Sequence, residues 1–117
     1  MADFTHLHVH SEYSLLDGQS KLKRLIAATQ AAGMSALALT DHGTMYGSIE
    51  FYKACKAAGV KPILGVEGYL VPSLEEKTKR YEYNHQLLLA RNQVGYHNLL
   101  KLTTLAHTRG FQARPRM

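Results

Sequence analysis

Apolar and polar positions alternate along this chain with the periods of strands and of helices in turn. Residues 5–10 (THLHVH) alternate with a period of two and predict a strand. Three apolar runs, 35–40, 60–71 and 85–90, have the composition of further strands. The charge-rich segment 73–84, between the last two runs, predicts a solvated loop or hairpin.

Helical spacing appears between these strands. Ser20 is the predicted N-cap of a first helix and Gly33 its end, because glycine accepts the left-handed conformation that closes many helices. A second helix is predicted from residue 47 or 48 to residue 58, with Gly59 as its stop, and a third from about 95 to 107. The residues expected to face the core from the second helix are Ile49, Phe51, Tyr52 and Cys55.

The resulting order, β-α-β-α-β-β-α, is typical of an α/β fold with a parallel sheet. A closed β/α barrel needs about 250 residues, so a chain of 117 residues provides only the first part of one. We therefore expect a truncated barrel. Residues 1–108 would form a partial domain, and residues 109–117 a basic tail without periodicity.

The composition is that of an ordinary globular domain. Hydrophobic residues make up 45% and charged residues 20%, which excludes a disordered tail, a collagen-like repeat and a disulfide-dense scaffold. No apolar run approaches the roughly 20 residues that span a bilayer, and the first residues lack the apolar region of a signal peptide. The single cysteine, Cys55, cannot form an internal disulfide, which favours a reducing cytoplasm.

Charge and histidine content are the unusual features. Lysine and arginine number 14 against nine acids, a net charge of +5. This balance favours an anionic partner, above all nucleic acid, although charge alone is equally consistent with a merely basic soluble protein. Seven histidines are present, and three of them fall within the first ten positions.

Histidines and acids concentrate near the ends of the predicted strands. In a parallel α/β sheet the loops after the strands meet on one face. His85 opens its strand, so it reaches this face only if that strand is antiparallel or displaced. Imidazole and carboxylate are ligands of Zn²⁺, Mn²⁺ and Fe, and a lone carboxylate in an apolar strand is costly unless it is paired. The residues that converge by this reasoning are His6, His8, His10, Asp17, His42, Glu67 and His85.

Neighbouring residues have two interpretations each. Asp41 could orient an imidazole, or it could simply form a turn. Tyr13 and Tyr46 could stack a nucleotide, but aromatic residues beside a turn more often pack at its rim, and we favour packing. Cys55 is expected to pack as a small apolar residue. The arginines that could add to a basic field without defining a groove are Arg91, Arg109, Arg114 and Arg116.

Three stretches resemble the PHP (polymerase and histidinol phosphatase) domain family: 6–18, 38–71 and 85–102. Their YSLLDG and TDHG…GSIEFY motifs are similar to the N-terminal PHP domains of bacterial replicative DNA polymerases and differ from stand-alone phosphatases. The resemblance implies a distorted (β/α)₇ barrel that binds up to three divalent metal ions, Zn, Mn or Fe. It leaves His6 outside the ligand set, as a structural or supporting residue.

The resemblance also implies roles for individual residues. Water activated by the metals would be the nucleophile, and no side-chain nucleophile is expected. The remaining ligands of the family would follow residue 117, as would the polymerase palm, so this chain alone would not polymerise DNA. The metal ligands implied within the chain are His8, His10, Asp17, His42, Glu67 and His85.

Three functional hypotheses follow from the resemblance. The first is an N-terminal fragment of a replicative DNA polymerase. That protein would be cytoplasmic, would not bind a membrane, and would have DNA and other replicase subunits as partners. Its PHP domain, when complete, would be a metal-dependent phosphoesterase or 3′–5′ exonuclease. The alternatives are a stand-alone phosphatase of the histidinol-phosphatase type and a PHP scaffold without catalytic activity.

Overall fold

The computed structural model of the chain describes residues 4–76 and 82–117. The elements are α1 (Leu22–Ala31), β1 (Ala36–Leu39), α2 (Ser48–Ala57), β2 (Lys61–Leu70), β3 (Asn84–Leu89), α3 (Gln93–Thr108), β4 (Phe111–Gln112) and β5 (Arg114–Pro115). Strand β1 pairs with β2 in parallel and β2 pairs with β3 in antiparallel, so that β2 is the central strand of a three-stranded sheet. Within the described residues no helix is both long and apolar enough to cross a membrane.

The core lies where α1 and α2 pack against β1. Burying these side chains removes apolar surface from water, which is the main stabilising contribution to a domain of this size. The packing fixes the end of β1, from which the site loops leave. The core residues are Leu22, Ile26, Leu37, Leu39, Phe51, Cys55 and Val60.

The ends of the helices agree with the predictions except at the start of α1. Gly33 and Gly59 follow α1 and α2 with φ values of 70° and 71°, the conformation expected after a helix. The prediction of Ser20 as N-cap is wrong, because Lys21 occupies that position without a side-chain cap. The Ser20 carbonyl instead accepts a hydrogen bond from the Glu12 amide at 3.0 Å, which ties it to the preceding loop.

The buried face of α2 was predicted only in part. Phe51 and Cys55 are completely buried, whereas Ile49 is 56% and Tyr52 is 46% exposed. Positions 51 and 55 are one helical turn apart and point at β1, so positions 49 and 52 turn away from it. They line a separate surface cavity beside Leu64.

The predicted first strand is not a regular strand. Its residues run beside β1, with the Ala38 and Thr40 amides donating to the carbonyls of His6 and Val9 at 3.0 and 2.9 Å. A regular parallel ladder would use acceptors two residues apart, but these are three apart. The Val9 amide donates instead to the Thr40 hydroxyl at 2.9 Å. The segment is therefore extended and bulged, and side chains 8 and 10 leave it at the end of the sheet.

The C-terminal segment, predicted as a basic tail without periodicity, contains two short strands. β4 and β5 form a small antiparallel hairpin around Ala113, whose φ is 61°. The Met117 amide then donates to the Tyr69 carbonyl at 2.8 Å, and the Val71 amide donates to the Met117 carbonyl at 2.9 Å. These residues add to the end of β2 because its backbone groups there would otherwise lack partners.

The predicted loop 73–84 can be compared only in part, because residues 77–81 lie outside the described residues. Residues 73–76 belong to no helix or strand, as predicted, whereas Asn84 already begins β3. The third helix begins slightly before its predicted start. Asn92 is its N-cap and accepts a hydrogen bond from the Gly95 amide at 3.0 Å.

Cys55 should be inert toward thiol reagents in the folded chain. Its side chain is completely buried, and burial raises the pKa of the thiol to about 11. The reactive thiolate is therefore absent at neutral pH. We expect no reaction with dithionitrobenzoate at pH 8 until denaturant is added, measured by absorbance. Rapid labelling of the native chain would contradict this burial.

Candidate metal centre

Glu67 lies at the centre of the candidate site, on β2 just beyond the end of β1. The parallel pairing of the two strands continues there. The Glu67 amide donates to the Asp41 carbonyl at 3.0 Å, and the Gly43 amide donates to the Glu67 carbonyl at 2.9 Å. This register places His42 directly beside Glu67. The side chain of Glu67 is only 7% exposed, so its carboxylate needs polar partners.

Two of those partners come from the extended N-terminal segment. The Nε2 atoms of His8 and His10 lie 2.8 and 2.5 Å from Oε2 of Glu67. Their rings are 5.2 Å apart and nearly perpendicular. Both side chains point the same way because they are two positions apart in extended backbone, as the alternation in the sequence predicted.

Asp17 and His42 complete the next part of the site. Nε2 of His42 lies 2.7 Å from Oδ2 of Asp17, and Nδ1 of His10 lies 3.5 Å from the same oxygen. Asp17 comes from the loop after the N-terminal segment and His42 from the loop after β1. The two loops therefore meet, as expected for residues that follow neighbouring strands.

His85 reaches the site from β3. This strand is antiparallel to β2, and His85 pairs with Tyr69 two residues beyond Glu67. Its Nδ1 lies 2.9 Å from Oε1 of Glu67. Because β3 runs antiparallel to β2, its first residues lie beside the last residues of β2. A histidine at the start of β3 therefore reaches the site, which is the condition that the sequence analysis set for His85.

Within residues 4–76 and 82–117, the side chains form three overlapping groups, each with ligand atoms within 4.8 Å of one another. His10, His42 and Glu67 each belong to two groups. Among the residues that the structure describes, Nδ1 of His42 is buried without a hydrogen-bond partner, and it lies 3.5 Å from Glu67, too far for a good hydrogen bond. Mixed nitrogen and oxygen donors with an unused buried nitrogen fit divalent metal ions. The groups are His8, His10 and Glu67; His10, Asp17 and His42; and His42, Glu67 and His85.

The imidazoles control the charge of Glu67. Burial by itself raises the pKa of this carboxyl. Hydrogen bonds from His8 and His10, together with the electrostatic effect of His42, outweigh burial and lower the pKa of Glu67 to about 2. The group is therefore a carboxylate at neutral pH, which is the form that binds a cation.

Comparison with known families identifies the domain. The family model described as the PHP domain matches residues 6–117, nearly the whole chain. The chain belongs to the PHP domain family. This confirms the resemblance seen in the sequence.

Curated relatives are much longer than this PHP domain. The DNA polymerase III subunit alpha of Borreliella burgdorferi is 48% identical over 118 residues, which cover 97% of this chain and 10% of that protein. The protein of the same name from Campylobacter jejuni is 45% identical over 119 residues, which cover 100% of this chain and 10% of that protein. The chain therefore spans about a tenth of the length of these relatives.

Solved structures support the fold. A protein named as a metal-dependent phosphoesterase from Bifidobacterium adolescentis aligns with a TM-score of 0.59 at 20% identity, over 92% of this chain and 36% of that one. An amidohydrolase from Chromobacterium violaceum, solved with sulfate and no metal, aligns with a TM-score of 0.57 at 24% identity, over 84% of this chain and 32% of that one. The PHP domain described here therefore has the fold of part of these larger chains, as the truncated barrel predicted.

Asp41 has a role in the PHP domain that neither sequence interpretation described. In the described part of the chain its buried carboxylate binds no imidazole, and it does more than form a turn. Oδ1 accepts hydrogen bonds from the Ser11 amide at 2.6 Å and the Ser14 hydroxyl at 2.9 Å, and Oδ2 accepts from the Ser11 hydroxyl at 2.8 Å. The Ser14 hydroxyl in turn accepts from the His42 amide at 3.1 Å. Asp41 thus connects the loop that carries Asp17 to the loop that carries His42. The serine residues at positions 11 and 14, which precede Asp17, were the signal in the sequence that could have indicated this role.

Other predicted residues lie where the simpler interpretations placed them. His6 is exposed and packs edge-to-face on Phe4, with ring centroids 4.9 Å apart, and it takes no part in the three groups. Tyr13 packs against the core at the rim, as favoured, and its hydroxyl donates to Glu50 at 2.6 Å. Both Tyr13 and Tyr46 line a cavity beside the site, but Tyr46 differs because it is 69% exposed.

Replacing Glu67 should weaken metal binding most. Glu67→Gln removes the negative charge and one acceptor oxygen from the position shared by two groups. We expect metal affinity to fall about 10-fold or more, measured by calorimetric titration with Zn²⁺ and by metal content after dialysis. The matched control is His6→Asn, which should leave both unchanged. Full metal content in Glu67→Gln would refute this site.

Removing the Asp41 carboxylate should loosen the same site indirectly. Asp41→Ala leaves three buried donors of Ser11 and Ser14 without an acceptor. The free energy of unfolding should fall by about 3 kcal/mol, and metal affinity by about 10-fold. Asp41→Asn keeps one acceptor oxygen and should recover part of both.

The matched control for Asp41 is Glu50→Gln, which changes an exposed carboxylate bound to Tyr13. It should alter neither quantity. Urea denaturation and Zn²⁺ titration measure the two effects. If Asp41→Ala binds Zn²⁺ as tightly as the unaltered chain, Asp41 does not position the loops.

Proposed function

We propose that this chain is the N-terminal PHP domain of a DNA polymerase III α subunit and that its site is a divalent-metal phosphoesterase centre, a 3′–5′ exonuclease in the complete domain. The observation that carries the proposal is the convergence on Glu67. Four imidazoles, each from a position that the sequence singles out, lie within 3.5 Å of its carboxylate. Structural ion pairs do not need four histidines around one acid.

The proposed role of each residue follows from where it lies in the site. Glu67 is the best-placed bridge between groups, because its oxygens face His8 and His10 on one side and His85 on the other. Asp17 lies at the open side, with its side chain 50% exposed, where a phosphate ester would approach. When bound, Zn²⁺, Mn²⁺ or Fe ions would polarise the phosphate and supply a nucleophile from water at neutral pH. The chain itself orients the ester and excludes bulk water on the buried side.

The proposal for the whole protein rests on its relatives. Proteins named DNA polymerase III subunit alpha match over 97–100% of this chain. We infer that the complete polypeptide is a DNA-directed DNA polymerase that acts with DNA and other replicase subunits in the bacterial cytoplasm. Polymerisation belongs to parts of that polypeptide outside these 117 residues.

The full-length polypeptide offers an internal control for the exonuclease. His10 belongs to two ligand groups, so His10→Asn should reduce 3′–5′ digestion of a labelled single-stranded oligonucleotide by about 100-fold. Primer extension by the same preparation should stay within about 2-fold, since it uses other residues. Chelation followed by Mn²⁺ should remove and restore digestion only in the unaltered protein. If the unaltered protein binds metal but digests nothing, the centre is a structural scaffold and the exonuclease proposal fails.

A further inference from the structure

A cavity of about 490 Å³ opens beside the candidate metal centre. One wall is formed by Asp17, His42 and His85 of that centre. Its lining also contains Tyr46, His107 and Phe111, none of which belongs to a ligand group. Its volume is in the range of cavities that hold a ligand of nucleotide size.

The three aromatic residues form a continuous row. The ring of His107 lies 6.4 Å from that of Tyr46 and 6.3 Å from that of Phe111, between centroids. The three come from separate parts of the chain: the loop before α2, the last turn of α3, and β4. The His107 ring is fixed, because its Nδ1 donates to the Thr103 carbonyl at 2.8 Å. Tyr46 is 69% and Phe111 59% exposed, so both ends of the row are accessible to a ligand.

Arg114 supplies positive charge to the same cavity. Arg109 pairs with Glu75 at 2.9 Å, and Arg116 is buried and donates to the carbonyls of Gly110, Leu74 and Glu76. Among the described residues, Arg114 makes only one long hydrogen bond, to the adjacent Ala113 carbonyl at 3.4 Å. Arg114 lines the cavity and has no carboxylate partner among the described residues. Its positive charge is therefore available to a ligand in the cavity.

We propose that this cavity binds the 3′-terminal nucleotides of a single strand, with bases stacked on the row of Tyr46, His107 and Phe111 and a backbone phosphate contacting Arg114. This inference rests on the proposed exonuclease function and adds the residues that would hold its substrate. Every base has a face that stacks on aromatic rings, so the row would bind without sequence preference. A duplex keeps its base faces covered, so an unpaired end is required. A small phosphate ester without a base would gain nothing from the row.

Photo-crosslinking tests where the strand end lies, independently of catalysis. An oligonucleotide with 5-iododeoxyuridine at its 3′ end forms covalent adducts with aromatic side chains that stack on it. In the full-length polypeptide, peptide mass spectrometry should locate an adduct at Tyr46, His107 or Phe111. Adducts at the polymerase centre would fall outside this chain and would be told apart by sequence. Adducts within this chain only at other residues would overturn the proposal.

Kinetics test the energetic contribution of the row. Phe111→Ala and Tyr46→Ala should each lower kcat/KM for a single-stranded (dT)₈ by about 10-fold, whereas Phe111→Tyr and Tyr46→Phe, which keep the ring, should stay within about 2-fold. Arg114→Gln should lower kcat/KM and reduce its dependence on salt by about one counterion. The matched control is Tyr52→Ala, since Tyr52 is similarly exposed but lines the other cavity.

The outcomes separate the two proposals. Hydrolysis of bis(p-nitrophenyl) phosphate by the unaltered protein, with normal metal content, supports the phosphoesterase whatever the variants do. If that hydrolysis occurs but the alanine variants digest (dT)₈ normally, the aromatic row is not a nucleotide site, and a protein partner is the remaining occupant. If the unaltered protein neither holds metal nor hydrolyses the ester, both proposals fail.

Discussion

The buried carboxylate of Glu67 is the constraint on which the rest of the site depends. An ionised acid with its side chain only 7% exposed is tolerated only when surrounding groups replace the water it has lost. Here the replacement comes from four imidazoles carried by three separate segments: the N-terminal segment, the loop after β1, and β3. The same arrangement that makes the carboxylate acceptable in the fold also concentrates nitrogen and oxygen donors at one point. The contacts between Glu67 and the four imidazoles therefore contribute both to the stability of the fold and to its affinity for metal ions.

A second buried carboxylate, Asp41, has the complementary task of holding the loops. It accepts three hydrogen bonds from Ser11 and Ser14 and leaves the imidazoles to Glu67. Gly18 allows the same loop to close tightly, because a Cβ atom there would lie 1.8 Å from the Ser11 carbonyl oxygen. The geometry around Asp17 and His42 is thus set by backbone and serine contacts before any ligand is considered.

The C-terminal segment shows why charge must be considered residue by residue. Three arginines between 109 and 116 contribute equally to the net charge of +5, but their surroundings differ. One forms a surface ion pair, one is buried against carbonyl groups, and Arg114 faces the cavity. The tail reaches that position because it pairs with the end of β2. Gly43, with φ of 63°, leaves room there, since a Cβ atom would lie 2.6 Å from Pro115.

The sequence by itself determined the order of the elements from α1 to α3, the family, and six positions, Glu67 among them, that the structure brings together. These follow from local signals: alternation in extended backbone, glycines after helices, and acids and histidines at strand ends. It could not determine the bulge beside β1, the outward position of Ile49 and Tyr52, the role of Asp41 in holding the loops, or the pairing of Met117 with Tyr69. Each of these depends on contacts between segments far apart in the chain. Local periodicity carries no information about which backbone groups need a distant partner or which face of a helix the sheet will cover, and only the tertiary structure decides both.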